Sequence, residues 1–399
     1  MLARATSCWI ALATLYGCAW GDAPSADEIA ACVAAHASTT PADDVLAIDE
    51  RGALVSRSTR EPYGAPRGVG SYPLLEHAGS GRMTEVNDIF DQAVALGRPL
   101  VRTHAFFDGG ASPARIRDAD GTLREEGLVG LDRVLAAARE HEVRLVLVLT
   151  NHWPDYGGAR AVLAQVAPGE DLPVDAFYSD PRAIEAQRAY IDAIVRRVST
   201  IDGARYAETG TVLAWELVNE ARCDDERYCD GGTLVRWARV MADAVRAAGA
   251  RQLVAWGGSG HLGEHGEDLA AIARDGAVDV LTLHVYPGLR SAVALDADTV
   301  GARPLLAARL GADAIRERAA IAREARRPLL VEEMGWRPIG GGDADAERAL
   351  VLDAWMRAAQ GEGAGALPWM IAEQGRPDYD GFLIRAFVER ATTGALACD

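Results

Sequence analysis

The feature that most constrains the fold is a strict alternation of short apolar runs with amphipathic stretches of helical period, beginning after Pro66. The apolar runs are Gly68–Tyr72, Pro99–Ala105, Val143–Leu149, Val212–Val218, Gln252–Trp256, Val278–His284, Leu329–Glu332 and Gly365–Met370. Between and after them lie Thr84–Leu96, Leu128–Glu140, Arg182–Val198, Leu234–Ala248, Asp268–Arg274, Ala312–Ala325, Asp345–Ala359 and Phe382–Arg390, each with apolar residues on one helical face. Asp180 and Pro181 supply a start signal for the third helix, a capping carboxylate followed by a ring that fixes the first turn. Nearly continuous apolar runs such as Val212–Val218 suit strands buried on both faces of a parallel sheet. Eight such units in order predict an α/β fold, a single (β/α)8 TIM barrel, with an open doubly wound sheet as the alternative. Ahead of them Val45–Ser56 reads as a short N-terminal β-hairpin turning at Glu50-Arg51-Gly52, placed as a lid.

With 399 residues and 49% apolar content, the chain has enough material for one large core. Its 58 acidic against 41 basic residues give a net charge of -17, which argues against nucleic acid or anionic membrane as the main partner. Every basic residue is arginine, so Schiff-base and P-loop lysine chemistry are excluded. Residues 1–19 read as an export signal, with Arg4 as the charged start and Cys8–Tyr16 as the short apolar core. Leu15-Tyr-Gly-Cys18 resembles a lipobox, which would place a lipid anchor at Cys18 on the bacterial cell envelope; ordinary cleavage and secretion is the alternative. Residues 20–42 form an Ala-rich tether, and 43–399 the folded domain. Cys32, Cys223, Cys229 and Cys398 then remain as possible disulfide partners, with Cys223–Cys229 a local bridge and Cys32–Cys398 a tie between the ends, among three connectivities.

In parallel α/β folds ligands bind at the C-terminal strand ends, and these ends are selectively polar here. The second strand carries Arg102 and His104, the third runs into Asn151-His-Trp153-Pro-Asp-Tyr156, and the fourth breaks off in Asn219-Glu220. The sixth ends in His284-Val-Tyr286-Pro287, the seventh in Glu332-Glu333-Met-Gly-Trp336, and the eighth in Trp369. A rim with two carboxylates, an arginine, a tyrosine and several tryptophans suits sugar chemistry: paired acids cleave an acetal, and aromatic faces stack on pyranose rings. The plainer reading is a set of solvated strand ends with Arg102–Glu333 as a buried ion pair.

These motifs, with Trp215-Glu-Leu-Val-Asn219-Glu220-Ala-Arg222-Cys223, Leu149–Gly158 and Phe177–Pro181 in register, resemble clan A glycoside hydrolases. They are most like family 5, in the branch of endo-β-1,4-mannanases. The resemblance implies a retaining hydrolase of β-1,4-mannosidic linkages, acting as a monomer on a β-linked polysaccharide or oligosaccharide, with no cofactor and no metal. It makes Glu220 the acid/base and Glu333 the nucleophile. Arg102 and Tyr286 become the partners of Glu333, Asn219 the ligand of the sugar 2-hydroxyl, and His284 a neighbour of the acid/base. Trp369 becomes the stacking platform, while Trp153 and Arg222 line the cleft. Glu332 is expected to point to the opposite side of its strand from Glu333. Glu220 is expected to have a raised pKa, suited to proton donation.

Departures from that pattern bear on substrate. Ala221 follows the acid/base where proline is usual, Met334 replaces an aromatic residue, Ser259 in Gly257-Gly-Ser-Gly260 replaces a sugar-binding acid, and the segment just after Pro287 lacks the usual tryptophan, so fewer aromatic platforms are expected in the cleft. An endo-β-1,4-glucanase and an exo-acting β-mannosidase therefore stay open, as does a carbohydrate-binding surface protein without turnover. His261-Leu-Gly-Glu264-His265 spells a metallopeptidase motif, but that motif needs a helix, and Gly260, Gly263 and Gly266 predict a loop.

Overall fold

The computed structural model describes residues 43–286, 300–339, 344–378 and 381–384. The expected export signal and tether, Cys18, Cys32, Cys398, Pro287 and most of the expected helix at 382–390 lie outside them. Ten strands are described: β1 (Leu46–Ile48), β2 (Leu54–Ser56), β3 (Val69–Gly70), β4 (Leu100–His104), β5 (Arg144–Val148), β6 (Val212–Glu216), β7 (Leu253–Ala255), β8 (Leu281–Val285), β9 (Leu329–Met334) and β10 (Gly365–Pro368). β3 to β7 form one parallel run in chain order, and β8 to β10 another. Two parallel bridges, Ala255↔Val280 and Arg67↔Ala366, join the runs at both edges, so the eight strands close into a ring. The open-sheet alternative is thereby removed, and closure leaves no exposed sheet edge.

Among the described residues nine α-helices accompany the ring: α1 (Leu74–Gly79), α2 (Met83–Ala95), α3 (Glu125–Glu140), α4 (Gly158–Val166), α5 (Pro181–Val195), α6 (Thr233–Ala247), α7 (Leu269–Asp275), α8 (Pro304–Ala325) and α9 (Ala344–Gly361). Their buried faces follow the helical period, as in α6, where Leu234, Trp237, Ala238, Met241, Ala242 and Val245 turn to the sheet. Asp180 caps α5 as expected, accepting from Arg182 N at 2.8 Å. That helix stops at Val195 because Val198 turns back to pair with Arg205. α8 starts eight residues before the predicted Ala312. Gly311 lies inside this helix, and a Cβ there would lie 2.2 Å from the Trp355 indole nitrogen, so the glycine lets α8 and α9 approach. α1 and α4 were not read from the sequence.

The β1–β2 hairpin forms with the expected turn, pairing Leu46 with Ser56. It is no lid over the polar rim. Leu46 and Leu54 pack with Leu100, Val146, Leu213, Leu253, Leu330 and Leu367, a cluster filling the N-terminal end of the ring. Arg144 ties the plug down by donating to Asp44 O at 2.8 Å. An apolar hairpin face is more stable against this opening than over a charged rim. Leu46→Ala should cost about 2–4 kcal/mol of stability, read by urea unfolding, while catalytic turnover of the folded fraction stays at the wild-type level because the rim lies at the other end.

Candidate active site

The polar ends of the strands converge on a cleft of about 880 Å³ at the C-terminal face. Arg102, in the middle of β4 and buried, is its hub. Its Nε and Nη2 donate to Glu216 Oε2 and Oε1 at 2.8 and 2.6 Å, Nη1 to Glu333 Oε1 at 2.6 Å, and Nη2 to Asn219 Oδ1 at 2.7 Å. Tyr286 donates to the second oxygen of Glu333 at 2.6 Å. Both oxygens of the Glu333 carboxylate are therefore fixed.

Glu220 is held by different donors. Trp153 Nε1 lies 2.6 Å from Oε2, and His284 Nδ1 lies 2.8 Å from Oε1. Its backbone sits at a φ of 54°, a left-handed conformation that costs energy in a residue with a Cβ and that gathers at functional sites. The turn is held by Glu220 N donating to Gly257 O at 2.8 Å. Gly257 is itself at φ +85°, and a Cβ on it would lie 1.8 Å from Val218 O. One oxygen of Glu220, one of Glu333 and a ring nitrogen of His284 all lie within 4.8 Å of one another.

The expected orientation of Glu332 is wrong. Leu330, two residues earlier, faces the ring interior, and the period of two carries Glu332 inward with it. A register shift, with Leu283 paired to Val331 and His284 to Glu333, turns the next residue inward as well. Glu332 accordingly meets His284 Nε2 at 3.1 Å and Arg102 Nε at 3.7 Å.

The expected rise of the Glu220 pKa does not occur either. Burial pushes it up, but the hydrogen bond and positive charge of His284, the Trp153 hydrogen bond and the charge of Arg222 together bring it down to about 2. His284 is shifted the opposite way: burial opposes its charge, yet Glu333, Glu220 and Glu332 hold it well above the usual imidazole range. His104, in the cleft wall, is brought down to about 3 by burial and by Arg102.

The remaining expected residues are placed as follows. Asn219 donates to Asn151 at 3.1 Å, continuing the pairing of β5 and β6 past their ends. Arg222 stacks its guanidinium over Trp153 at 5.1 Å, and both line the cleft with Trp369. Ser259 is not in the cleft wall; it is buried, and its carbonyl accepts from His284 N at 3.2 Å. Cys223 and Cys229 form the local disulfide, and the Asp175 carboxylate accepts from Asp224 N and Asp225 N inside the loop they close. Around Glu264–Gly266 the chain makes a single 3-10 turn, and His265 turns away to Asp224 at 3.1 Å, so the metallopeptidase motif lacks its helix.

Several cleft residues escaped the sequence reading. Glu216 was passed over as part of an apolar run, although a carboxylate inside such a run must find a buried cation. Tyr72, Phe107, Arg376 and Phe382 also line the cleft, and only their positions after strands hinted at it, while Tyr156 joins them from the polar stretch expected after the third strand. Tyr72 lies between Trp369, stacked at 6.0 Å, and the Arg376 guanidinium at 5.3 Å. The expected poverty of cleft aromatics is thus made up from loops.

Residues 79–341, well over half of the chain, match the sequence profile described as GH family 5 beta-mannosidase-like. The chain belongs to glycoside hydrolase family 5. It is 32% identical to mannan endo-1,4-beta-mannosidase 3 of rice (Oryza sativa subsp. japonica) over 307 residues, covering 72% of this chain and 63% of the relative. To mannan endo-1,4-beta-mannosidase 2 of the same plant it is 29% identical over 379 residues, covering 87% and 82%. Among solved structures it resembles the endo-beta-1,4-mannanase of Thermotoga petrophila, with a TM-score of 0.72, 25% identity, and coverage of 83% and 76%.

Glu216 generates a stability prediction. Burial raises its pKa most, Arg102 opposes that rise and Glu332 adds to it, and the result lies near 8 against an ordinary 4.5. A carboxyl whose folded value exceeds its unfolded value favours the fold below pH 4.5 and loses that contribution as pH rises through about 8. The melting temperature of the wild type should therefore fall as pH rises across this window, and Glu216→Gln should flatten the slope. Equal slopes in the two proteins would refute the assignment.

Proposed function

We propose that the chain is a retaining glycosidase that cleaves β-1,4-mannosidic linkages in mannan-type polysaccharides by double displacement. The observation that carries this reading is the pair Glu220 and Glu333, with oxygens within 4.8 Å across the rim. Retaining enzymes hold their carboxyl groups about 5–5.5 Å apart, whereas inverting ones need about 6.5–9.5 Å to admit a water. The two carboxylates are also held by different donors, which separates their tasks. The mannan specificity rests on the likeness to the mannan endo-1,4-beta-mannosidases of rice.

In the first step Glu333, aimed by Arg102 and Tyr286, attacks the anomeric carbon, and Glu220 protonates the departing oxygen. In the second, Glu220 takes a proton from a water that displaces Glu333. Asn219, fixed between Arg102 and Asn151, stands beside the nucleophile where it can bind the sugar 2-hydroxyl. Trp369 offers its face to the sugar at the cleavage point, and Trp153 with Arg222 flanks the leaving-group side next to Glu220. An exported enzyme fits the N-terminal signal, and the Cys223–Cys229 bridge is at home in an oxidising compartment.

Reducing-sugar release should appear on galactomannan and glucomannan, exceed that on carboxymethyl cellulose, and vanish in Glu333→Ala and Glu220→Ala. Azide should rescue Glu220→Ala as a β-glycosyl azide, the product expected when the acid/base but not the nucleophile is missing. Silence of the wild type on all three polymers would sink the reading, and an α-azide would reverse the stereochemical claim. Trp369 supplies a second test. A Cβ at Gly70 would lie 2.4 Å from its ring, so Gly70→Ala should displace the platform and raise KM about 3- to 10-fold. An unchanged KM would remove Trp369 from the sugar site.

A further inference from the structure

We propose that Glu332 is a positioning residue for the acid/base: by accepting the Nε2 hydrogen of His284, it leaves Nδ1 as the nitrogen that shares a proton with Glu220. This deepens the glycosidase reading above and rests on it. A neutral imidazole carries one N–H, and which nitrogen bears it is set by the hydrogen bond the other makes. Glu332 stands 3.1 Å from Nε2, and Glu220 2.8 Å from Nδ1. The side chains of His284 and Glu332 are both sealed from solvent. With Nε2 committed to Glu332, the short Nδ1–Glu220 contact closes only if it contains a proton, on the ring or on the carboxyl. The inward turn of both Glu332 and Glu333 puts the tautomer-setting group and the nucleophile side by side on one strand.

The proton account balances over both steps. When the leaving oxygen takes the shared proton, Glu220 is left ionised and His284 neutral with its hydrogen on Nε2. When water attacks the glycosyl-enzyme, its proton enters the same Nδ1–Glu220 bond. Glu332 exchanges no proton in either step. The resting preference for the ring, with Glu220 held down to about 2, agrees with a proton stored on His284. Other charged or titratable groups face or surround the ring: Glu216 and Glu220 from β6 and its end, Glu333 from β9, Glu267 ahead of α7, Arg102 from β4, and Tyr286 just past the end of β8. Glu332→Gln keeps an acceptor for Nε2 and removes one charge from this set.

The experiment compares wild type and Glu332→Gln on mannan and on 2,4-dinitrophenyl β-mannoside, whose leaving group departs without a proton. The alkaline limb of kcat/KM on mannan should move down by about one pH unit, with a far smaller loss of kcat/KM on the aryl substrate. An unmoved limb with equal loss on both substrates would show a merely structural role and overturn the proposal. Nitrogen-15 NMR of histidine-labelled wild type, followed upward in pH until His284 loses one proton, tests it without any variant: the hydrogen left on the neutral ring should be on Nε2, and a neutral ring with its hydrogen on Nδ1 would overturn the proposal. A wild type silent on both substrates defeats the glycosidase reading itself, and an active wild type with an unmoved limb defeats only the role of Glu332.

Discussion

One buried guanidinium holds the rim in register. Arg102 on β4 bonds Glu216 from β6, Glu333 from β9 and Asn219 beyond the end of β6, with Glu332 close by. Charges removed from water on this scale persist only when paired and hydrogen-bonded, so each strand is tied to its neighbours by the need to satisfy the others. More carboxylates than cations share the site. Burial, with Glu332 close by, raises Glu216, and the surrounding carboxylates keep a proton on His284, while Glu220, bonded to that imidazolium, stays ionised. Acid and base behaviour at the rim is thus a property of the whole cluster.

Backbone irregularity appears where chemistry is concentrated. Regular strands would turn Glu332 and Glu333 to opposite faces and would not lift Glu220 into a left-handed turn. The register shift in β9 and the close passage of Gly257 beneath Val218 make both possible. Deviations of this kind cost energy locally and survive because the surrounding ring over-determines them.

The strand order was legible because parallel strands buried on both faces leave nearly continuous apolar runs. The rim was legible because the runs break off in polar residues: Asn219, Glu220, Tyr286, Glu333 and Trp369 line one cleft, with Arg102 and His284 bonded to its carboxylates from behind. Glu216 was not legible, since its partner lies on a strand more than a hundred residues earlier. Counting by twos from Glu333 misplaced Glu332, because a register shift leaves no mark in periodicity. The hairpin pattern was clear, but nothing local states which end of a ring it closes. The low pKa of Glu220 depends on a histidine brought in from β8, and the extra cleft aromatics come from loops without a repeating pattern.

The hairpin plug has a consequence for traffic. Leu46 and Leu54, packed against the leucines of the ring, close the N-terminal end, so among the described residues the glycosyl-enzyme faces the outside only through the rim cleft. On the proposed double displacement, water and a second sugar then enter by one door, beside Trp153 and Arg222. Hydrolysis and sugar transfer become competitors for the space the first leaving group vacates. The balance between shortening chains and rebuilding them is set by how long those two side chains retain an acceptor, and the product distribution at rising mannotriose concentration would measure it.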